Sequence, residues 1–388
     1  MAVTFAVPGS LDQPTGGYKY DRRVIAGLRQ RGCEVDVIDL GDGFPHPAPE
    51  TVDAALPRLR RVPAGQPIVV DGLALGVLPD VAAALRSSHR LIALVHHPLA
   101  LESGLTPGEI AALRESERAA LAAVSRVVVT SPATRRVLVA DYGVPTEIIT
   151  VALPGTEGEA GAAAMRERPS EATNQTINLL AVGAVVPRKG YDVLIEALNQ
   201  LTDLNWQLVI AGDCKRDRAT AAELAATITR KRLQRRVDLA GAVNESELAA
   251  LYREADVFVL ASRFEGYGMA YAEAVAHGLP VIGTRVGAVP DTVPAGASIL
   301  VPPDDAVALA AALRAMITDA SVRKRCSEAA RKSSMPTWEA TAQTFLRVLS
   351  LPSPGTAGVS PTLPNPPLYG DGKKGAGGTP AVPGRLGP

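Results

Sequence analysis

The feature that most constrains the fold of this chain is an alternation of short β-branched runs with longer helical segments, which occurs twice along the sequence. Alternation of this kind is typical of parallel βαβ units, whose helices cover the faces of a sheet. The strands predicted in the first half lie at 3–7, 34–39, 68–71, 91–95, 126–130 and 148–151. Those in the second half lie at 177–182, 207–211, 237–240, 256–260, 281–283 and 298–301. The sequence therefore predicts two α/β domains in tandem, each built on a doubly wound parallel sheet.

Segments without an apolar period set the predicted domain boundaries. Residues 157–176 are polar and rich in Ala and Gly, which indicates a linker between a first domain at 1–156 and a second at 177–336. Another helical segment occupies 337–350. Residues 352–388 are crowded with Pro and Gly, so we expect a disordered tail that buries too little surface to offset its ordering entropy.

Charge and cysteine content exclude several classes of protein. Forty basic residues balance forty acidic ones over 388 residues, whereas nucleic-acid-binding proteins usually carry a basic surplus. Cys33, Cys214 and Cys326 lie too far apart in sequence to suggest a disulfide framework or a structural zinc site. The amino terminus resembles a first strand more than a signal peptide, and no run of about 18 apolar residues occurs. We expect a soluble, cytoplasmic protein.

The loops after the strands are the expected place for chemistry, because ligands of open α/β sheets bind beyond the carboxyl ends of the strands. Gly16 and Gly17 precede a helix predicted to begin near Tyr18, where glycines let backbone amides approach an anion; a structural turn explains them equally well. His96 and His97 end the fourth strand, and adjacent side chains point to opposite sides, so one of them faces the cleft. Such neighbours cannot easily chelate zinc together.

Loops of the second half carry charges suited to a nucleotide sugar. Arg188 and Lys189 precede a helix, where cations are unfavourable unless an anion compensates them, so the pair suits a diphosphate. Glu265 lies in a glycine-rich loop and Glu273 eight residues later on the next helix, where they suit a sugar and a ribose. That helix begins with the backbone amides of Gly268, Met269 and Ala270. Alternatively, the two glutamates merely offset the helix dipole.

The run from Glu265 to Glu273 resembles the E-x7-E motif of the retaining, family-4-like glycosyltransferases of the GT-B fold. Four nearby segments, at 208–213, 237–243, 277–282 and 287–290, are similar to further motifs of that family. The resemblance is dense from residue 182 to 303 and thinner in the first half. It implies two Rossmann-like domains that face a cleft, the first binding the acceptor and the second the donor. It also implies that the helix at 337–350 packs back on the first domain.

Motif positions imply a role for individual residues. His96 matches the histidine that contacts the donor sugar, and Lys189, beside Arg188, matches the lysine that binds the diphosphate. Glu265 matches the glutamate on the sugar hydroxyls and Glu273 the one on the ribose. The other implied donor contacts are the phosphate loop at Gly16 and Gly17, the amides of Gly268, Met269 and Ala270, and Ala242 near the base. Ala184 departs from the pattern, because the family often has arginine there.

The resemblance implies metal-independent, front-face transfer of a hexosyl unit with retention, from a UDP-, GDP- or ADP-sugar, with no cofactor and no protein nucleophile. The sequence contains no D-x-D cluster at a strand end, so a metal is not needed to hold the diphosphate. The acceptor stays open between a sugar, a lipid-linked glycan and a small metabolite, as do the oligomeric state and a peripheral contact with the inner face of the membrane. Alternative functions are an epimerase- or phosphorylase-like GT-B enzyme and a non-catalytic nucleotide-sugar-binding module.

Overall fold

The computed structural model describes residues 1–13, 15–102, 104–157 and 176–352, and this part of the chain contains two parallel sheets of six strands. The strands of the first sheet are β1 (Ala2–Val7), β2 (Glu34–Asp39), β3 (Ile68–Asp71), β4 (Leu91–Val95), β5 (Arg126–Val129) and β6 (Ile149–Val151). Those of the second are β7 (Ile177–Val182), β8 (Trp206–Ala211), β9 (Val237–Gly241), β10 (Val257–Val259), β11 (Val281–Thr284) and β12 (Ser298–Val301).

The strand orders confirm the predicted doubly wound α/β class. The first sheet runs β2-β1-β3-β4-β5-β6 and the second β12-β11-β10-β7-β8-β9, with every pair parallel. In each sheet the order reverses beside the first strand of that half, which is where ligands of open α/β sheets bind.

Helices cover both sheets. Those that follow strands of the first sheet are α1 (Gly16–Gln30), α2 (Pro49–Leu59), α3 (Gly72–Leu75), α4 (Pro79–Leu85), α5 (Pro107–Leu121) and α6 (Pro132–Tyr142). Those that follow strands of the second are α7 (Tyr191–Asn199), α8 (Arg218–Arg230), α9 (Glu245–Glu254), α10 (Met269–Ala276), α11 (Val289–Thr292), α12 (Ala306–Thr318) and α13 (Ala320–Lys332). The last helix is α14 (Trp338–Ser350). Among the described residues, no helix is both long and apolar enough to cross a membrane.

Central strands are apolar along their whole length because helices cover them on both sides. Every residue of β4 (LIALV) and of β3 (IVVD) is buried, and only Asp71 of β3 is charged. Parallel strands covered on two faces show this continuous apolar pattern instead of alternation. A charged side chain at the end of such a strand therefore marks the loop edge of the sheet.

The last helix joins the core of the first sheet. Phe345 on α14 is fully buried, with its ring centroid 6.1 Å from that of Phe5 and 6.2 Å from that of Tyr20. The two helices approach closely, since a Cβ atom on Gly27 of α1 would lie 2.7 Å from the Cβ of Ala342. Helix α14 therefore packs against α1 and the first sheet.

One local expectation at the loop edges is wrong in detail, and a second is confirmed. Helix α1 begins at Gly16 instead of near Tyr18, because the Thr15 side chain accepts a hydrogen bond from the Tyr18 amide and caps the helix. Arg188 and Lys189 precede α7 as expected, in a 3-10 turn that Gly190 ends with a φ of 64°. The linker and the tail, apart from their boundary residues, lie outside the described residues, and the domain boundaries stay predictions.

Candidate active site

Loops of the two sheets touch at the edge where the strands end. A Cβ atom on Gly266, after β10, would clash with the carbonyl oxygen of His96, after β4, and would lie 3.0 Å from the Cβ of His97. At the start of α1, a Cβ atom on Gly16 would lie 3.5 Å from the sulfur of Met269, the first residue of α10. These contacts bring together most of the predicted site residues.

Lys189 and Glu265 form the charged centre of this region. The Lys189 Nζ lies 2.7 Å from Glu265 Oε1, and the hydroxyl of Ser262 donates to the same oxygen at 2.7 Å. Burial acts to raise the pKa of Glu265, but Lys189, Arg188 and the Ser262 hydroxyl outweigh it and hold that pKa below its ordinary value. Glu265 is therefore an ionised acceptor beside a buried ammonium group.

Glycine is required where the Lys189 side chain crosses the turn after β7. A Cβ atom on Gly183, whose φ is 153°, would lie 2.9 Å from Lys189 Cε. The hydroxyl of Tyr191 also donates to the Gly183 carbonyl at 2.7 Å. The absence of a side chain at Gly183 thus lets the lysine lie flat against the loop and reach Glu265.

Arg188 points across the contact between the two halves. Its Nε lies 3.2 Å from Oε1 of Glu102, and its Nη1 donates to the Phe264 carbonyl at 2.9 Å. His97 contacts the other oxygen of Glu102 through Nε2 at 3.3 Å. Arg188 and His97 therefore share one carboxylate from the loop after β4.

The first turn of α10 places backbone amides near a buried carboxylate. Gly268 precedes the helix with a φ of 92°, and the amides of Met269 and Ala270 lie in its first turn, where no intrahelical acceptor exists. Glu273, one turn later, accepts from the Glu157 amide at 3.1 Å and lies 3.7 Å from Lys19 Nζ. Burial raises the pKa of Glu273. Ala242 lies exposed just after β9.

His96 belongs to a charged group that the sequence analysis missed. Its Nε2 lies 3.2 Å from Asp21 Oδ1 and 3.5 Å from Asp71 Oδ2. Burial acts to lower the pKa of His96, but the two carboxylates outweigh it and raise that pKa to about 10. The sequence did contain a signal: Asp21 lies one turn before Val24 and Ile25 on the buried face of α1.

The ligand atoms of Asp21, Asp71 and His96 all lie within 4.8 Å of one another, and no other such group of three occurs in the described ranges. Their separations are those of direct ion pairs, in which the imidazole already supplies the positive charge. We therefore assign no metal here.

A model of the family described as "Glycosyl transferases group 1" matches residues 165–333. D-inositol 3-phosphate glycosyltransferase 1 of Catenulispora acidiphila is 30% identical over 371 residues, which cover 82% of this chain and 87% of that protein. The chain belongs to the group 1 glycosyltransferases. A second relative of this glycosyltransferase, the mannosylfructose-phosphate synthase of Agrobacterium fabrum, is 32% identical over 177 residues, 42% of this chain and 38% of that protein.

Solved structures confirm the GT-B fold of this glycosyltransferase. Sucrose-phosphate synthase from Thermosynechococcus elongatus matches with a TM-score of 0.73 at 22% identity, covering 89% of this chain and 98% of that one. The Anabaena protein HepE, in complex with UDP and glucose, matches with a TM-score of 0.68 at 19% identity, covering 89% and 99%. The roles of the individual site residues stay predictions.

Proposed function

We propose that this glycosyltransferase transfers a hexosyl unit from a UDP-, GDP- or ADP-sugar to an acceptor, with retention of configuration and without a metal or cofactor. The observation that carries the proposal is the buried Lys189–Glu265 pair at the strand ends, with Glu265 in the loop that leads into the first turn of α10. A buried cation and the backbone amides of a helix N-terminus suit the diphosphate of a nucleotide sugar. The resemblance to the E-x7-E motif supports the retaining outcome.

The main chemical task is to stabilise the leaving nucleoside diphosphate. We assign this to Lys189, with Arg188 beside it, and to the amides of Met269 and Ala270. Preorganised cations and amides in a site of low dielectric stabilise developing charge without reorganising. Glu265 would accept hydrogen bonds from the sugar hydroxyls and Glu273 from the ribose diol.

Bond making and breaking occur on one face of the sugar in this proposal. The acceptor oxygen attacks the anomeric carbon on the side from which the diphosphate leaves, so the configuration is retained. The bond from the anomeric carbon to the diphosphate oxygen breaks with its electron pair on that oxygen, which takes the acceptor proton. No side chain forms a covalent intermediate.

The acceptor is assigned to a cavity of about 210 Å³ between the halves. Pro98 and Thr134 line it on one side and Phe264 and Glu265 on the other, so it borders the predicted sugar position. Such a cavity supports an acceptor that presents a sugar or small-metabolite group. The base and sugar of the donor, a cytoplasmic location and contact with the membrane stay predictions.

A thermal-shift screen tests the donor. The screen compares the wild type with Lys189→Ala and with the control Lys324→Ala, whose lysine lies exposed on α13. Each protein is tested with UDP, GDP, ADP and their sugar conjugates, with and without EDTA. A ligand at 100 times its Kd stabilises the native state by about 2.7 kcal/mol. We expect one nucleotide class to shift the wild type and the control despite EDTA, and not Lys189→Ala. No shift at millimolar ligand, or a shift abolished by EDTA, would contradict the proposal.

Nuclear magnetic resonance of the product tests the stereochemistry. With the donor identified and an acceptor found by screening sugars and small metabolites, the anomeric configuration of the new linkage should equal that of the donor. Inversion would exclude front-face transfer. If the protein binds the donor but releases no nucleoside diphosphate with any of the acceptors, the result would instead support a binding module.

A further inference from the structure

Two buried carboxylates and one imidazole meet behind the predicted sugar position. Asp21, on α1, is fully buried, and Asp71, at the end of β3, is 6% exposed. His96, after β4, places its Nε2 within 3.5 Å of one oxygen of each. Carboxylates from α1 and from the end of β3 thus converge on one ring nitrogen of the loop after β4.

The charges of this group require a proton on His96. Ionised carboxylates are expensive to bury unless a cation or hydrogen-bond donors compensate them. Asp71 accepts a hydrogen bond from the Leu73 amide at 2.7 Å. In the described part of the chain the oxygens of Asp21 and the Nε2 of His96 are buried without a hydrogen bond of ordinary geometry, so they meet at ion-pair distance only. A proton on Nε2 would place a positive charge within 3.5 Å of both carboxylates.

We propose that Asp21 and Asp71 are positioning residues that hold His96 as an imidazolium, with Nε2–H on the carboxylates and Nδ1–H free to donate to the donor substrate. The inference rests on the proposed function, because it assumes that His96 faces the donor sugar. Among described residues Nδ1 has no partner, and 21% of the side chain is exposed. A ring protonated on both nitrogens can only donate. His96 would bind a hydroxyl or phosphate oxygen as a fixed cation and could not act as a general base.

Most of the groups that face the ring agree with this assignment. Asp21 differs, because burial and the neighbouring Asp71 raise its pKa to about 7 although His96 acts to lower it, so Asp21 carries its full charge only above that pH. Asp21 and Tyr20 approach from α1, the latter edge-on at 5.2 Å between ring centroids, and Asp71 approaches from β3. The pKa of Tyr18, nearby on α1, is raised to about 12 by burial and by the same two carboxylates, so its phenol stays neutral. Burial acts to raise the pKa of Asp71, but His96 outweighs it and lowers that pKa.

Ring-labelled histidine in the full-length protein tests the protonation state by nitrogen NMR. The His96 signals are identified as those absent from His96→Gln. In the wild type they should remain those of an imidazolium from pH 6 to pH 9. Asp71→Asn and Asp21→Asn keep the shape of the side chain but remove its charge. Each should therefore lower the pKa of His96 by about one unit or more, which corresponds to about 1.36 kcal/mol of lost interaction with the imidazolium. The control Asp141→Asn, at an exposed carboxylate, should change nothing.

The pH dependence of donor turnover separates positioning from a structural role. His96 loses its charge when the pH rises above its pKa. The kcat/KM of Asp71→Asn should therefore fall with rising pH, with the midpoint that NMR gives for His96 in that variant. The kcat/KM of the wild type should show no loss due to His96 up to pH 9. A structural defect alone would lower the melting temperature without moving this midpoint.

Three results would overturn the inference: wild-type His96 that titrates near pH 6.5, variants with an unchanged titration, or a metal ion retained through dialysis and lost in Asp71→Asn. Failure of the proposed function can be told apart from failure of this inference. If the wild-type protein turns over no donor, the proposed function fails, and the NMR titration of His96 still tests the protonation state.

Discussion

The ammonium group of Lys189 lies 2.7 Å from a carboxylate oxygen of Glu265, and this pair ties the turn after β7 to the loop after β10. Both side chains are largely buried, at 13% and 7% exposure. Lys189, which is assigned to the diphosphate, and Glu265, which is assigned to the sugar, are therefore partners of one another. A diphosphate bound to Lys189 would share this ammonium group with Glu265 or displace Glu265 from it. The oxygens of Glu265 would then be free to accept from sugar hydroxyls.

Removing Lys189 should cost both stability and donor binding. Lys189→Met leaves the buried Glu265 with the Ser262 hydroxyl and the more distant Arg188. Breaking a buried ion pair costs about 3–5 kcal/mol of unfolding free energy. The double variant Lys189→Met with Glu265→Gln removes both charges and should recover much of that loss without recovering donor affinity. Denaturant unfolding of the wild type, both single variants and the double variant measures the coupling. Additive losses would show that the pair contributes no interaction energy.

Gly266 should control the approach of the two loops. A Cβ atom at this residue would meet the His96 carbonyl, so Gly266→Ala must displace one loop from the other. A displacement of about 1 Å in a catalytic arrangement can cost about 100-fold in rate, and we expect a loss of kcat/KM near that size. Gly108→Ala is the matched control, because nothing lies within 4 Å of a Cβ there. Equal activity of the two variants would show that the loop contact is dispensable.

Phe345 should anchor α14 to the first sheet. Truncation of a fully buried phenylalanine costs about 3–5 kcal/mol, so Phe345→Ala should lower the thermal midpoint clearly. The control Val307→Ala removes a side chain that is 70% exposed on α12 and should change stability by less than about 0.5 kcal/mol. Similar midpoints for the two variants would mean that α14 does not belong to the core.

Glu117 on α5 gives the protein a pH-dependent stability. Burial raises the pKa of Glu117 from 4.5 to about 7, although its carboxylate accepts from the Leu99 amide at 3.0 Å. The unfolded chain releases this proton near pH 4.5 while the folded protein keeps it until about pH 7, so wild-type stability falls over this interval. At about 1.36 kcal/mol per pH unit the loss approaches about 3 kcal/mol.

Glutamine in place of Glu117 cannot ionise, so Glu117→Gln should gain stability relative to the wild type as pH rises from 4.5 to 7 and keep that gain above pH 7. Urea unfolding at pH 4, 6 and 8 measures it. Glu115→Gln, at an exposed neighbour on the same helix, should show no such trend. A gain that does not grow with pH would contradict the raised pKa.

The alternation of strands and helices along the sequence determined the α/β class. All twelve predicted strands are present within a residue or two. Central strands such as β3 and β4 are visible as short apolar runs because helices cover both of their faces, whereas the edge strands β2 and β9 keep exposed polar residues. The loops that carry Lys189, Glu265 and Gly268 could be assigned for a related reason: chemistry of parallel sheets lies where strands end.

Only the tertiary structure decided which charges meet. Asp21, Asp71 and His96 are separated by 50 and 25 residues, and no local pattern links them. Sequence patterns report how one segment folds, because backbone hydrogen bonds and side-chain periods act over a few residues. Which side chains share a proton depends on the packing of α1 against the ends of β3 and β4, and that packing exists only in the folded chain.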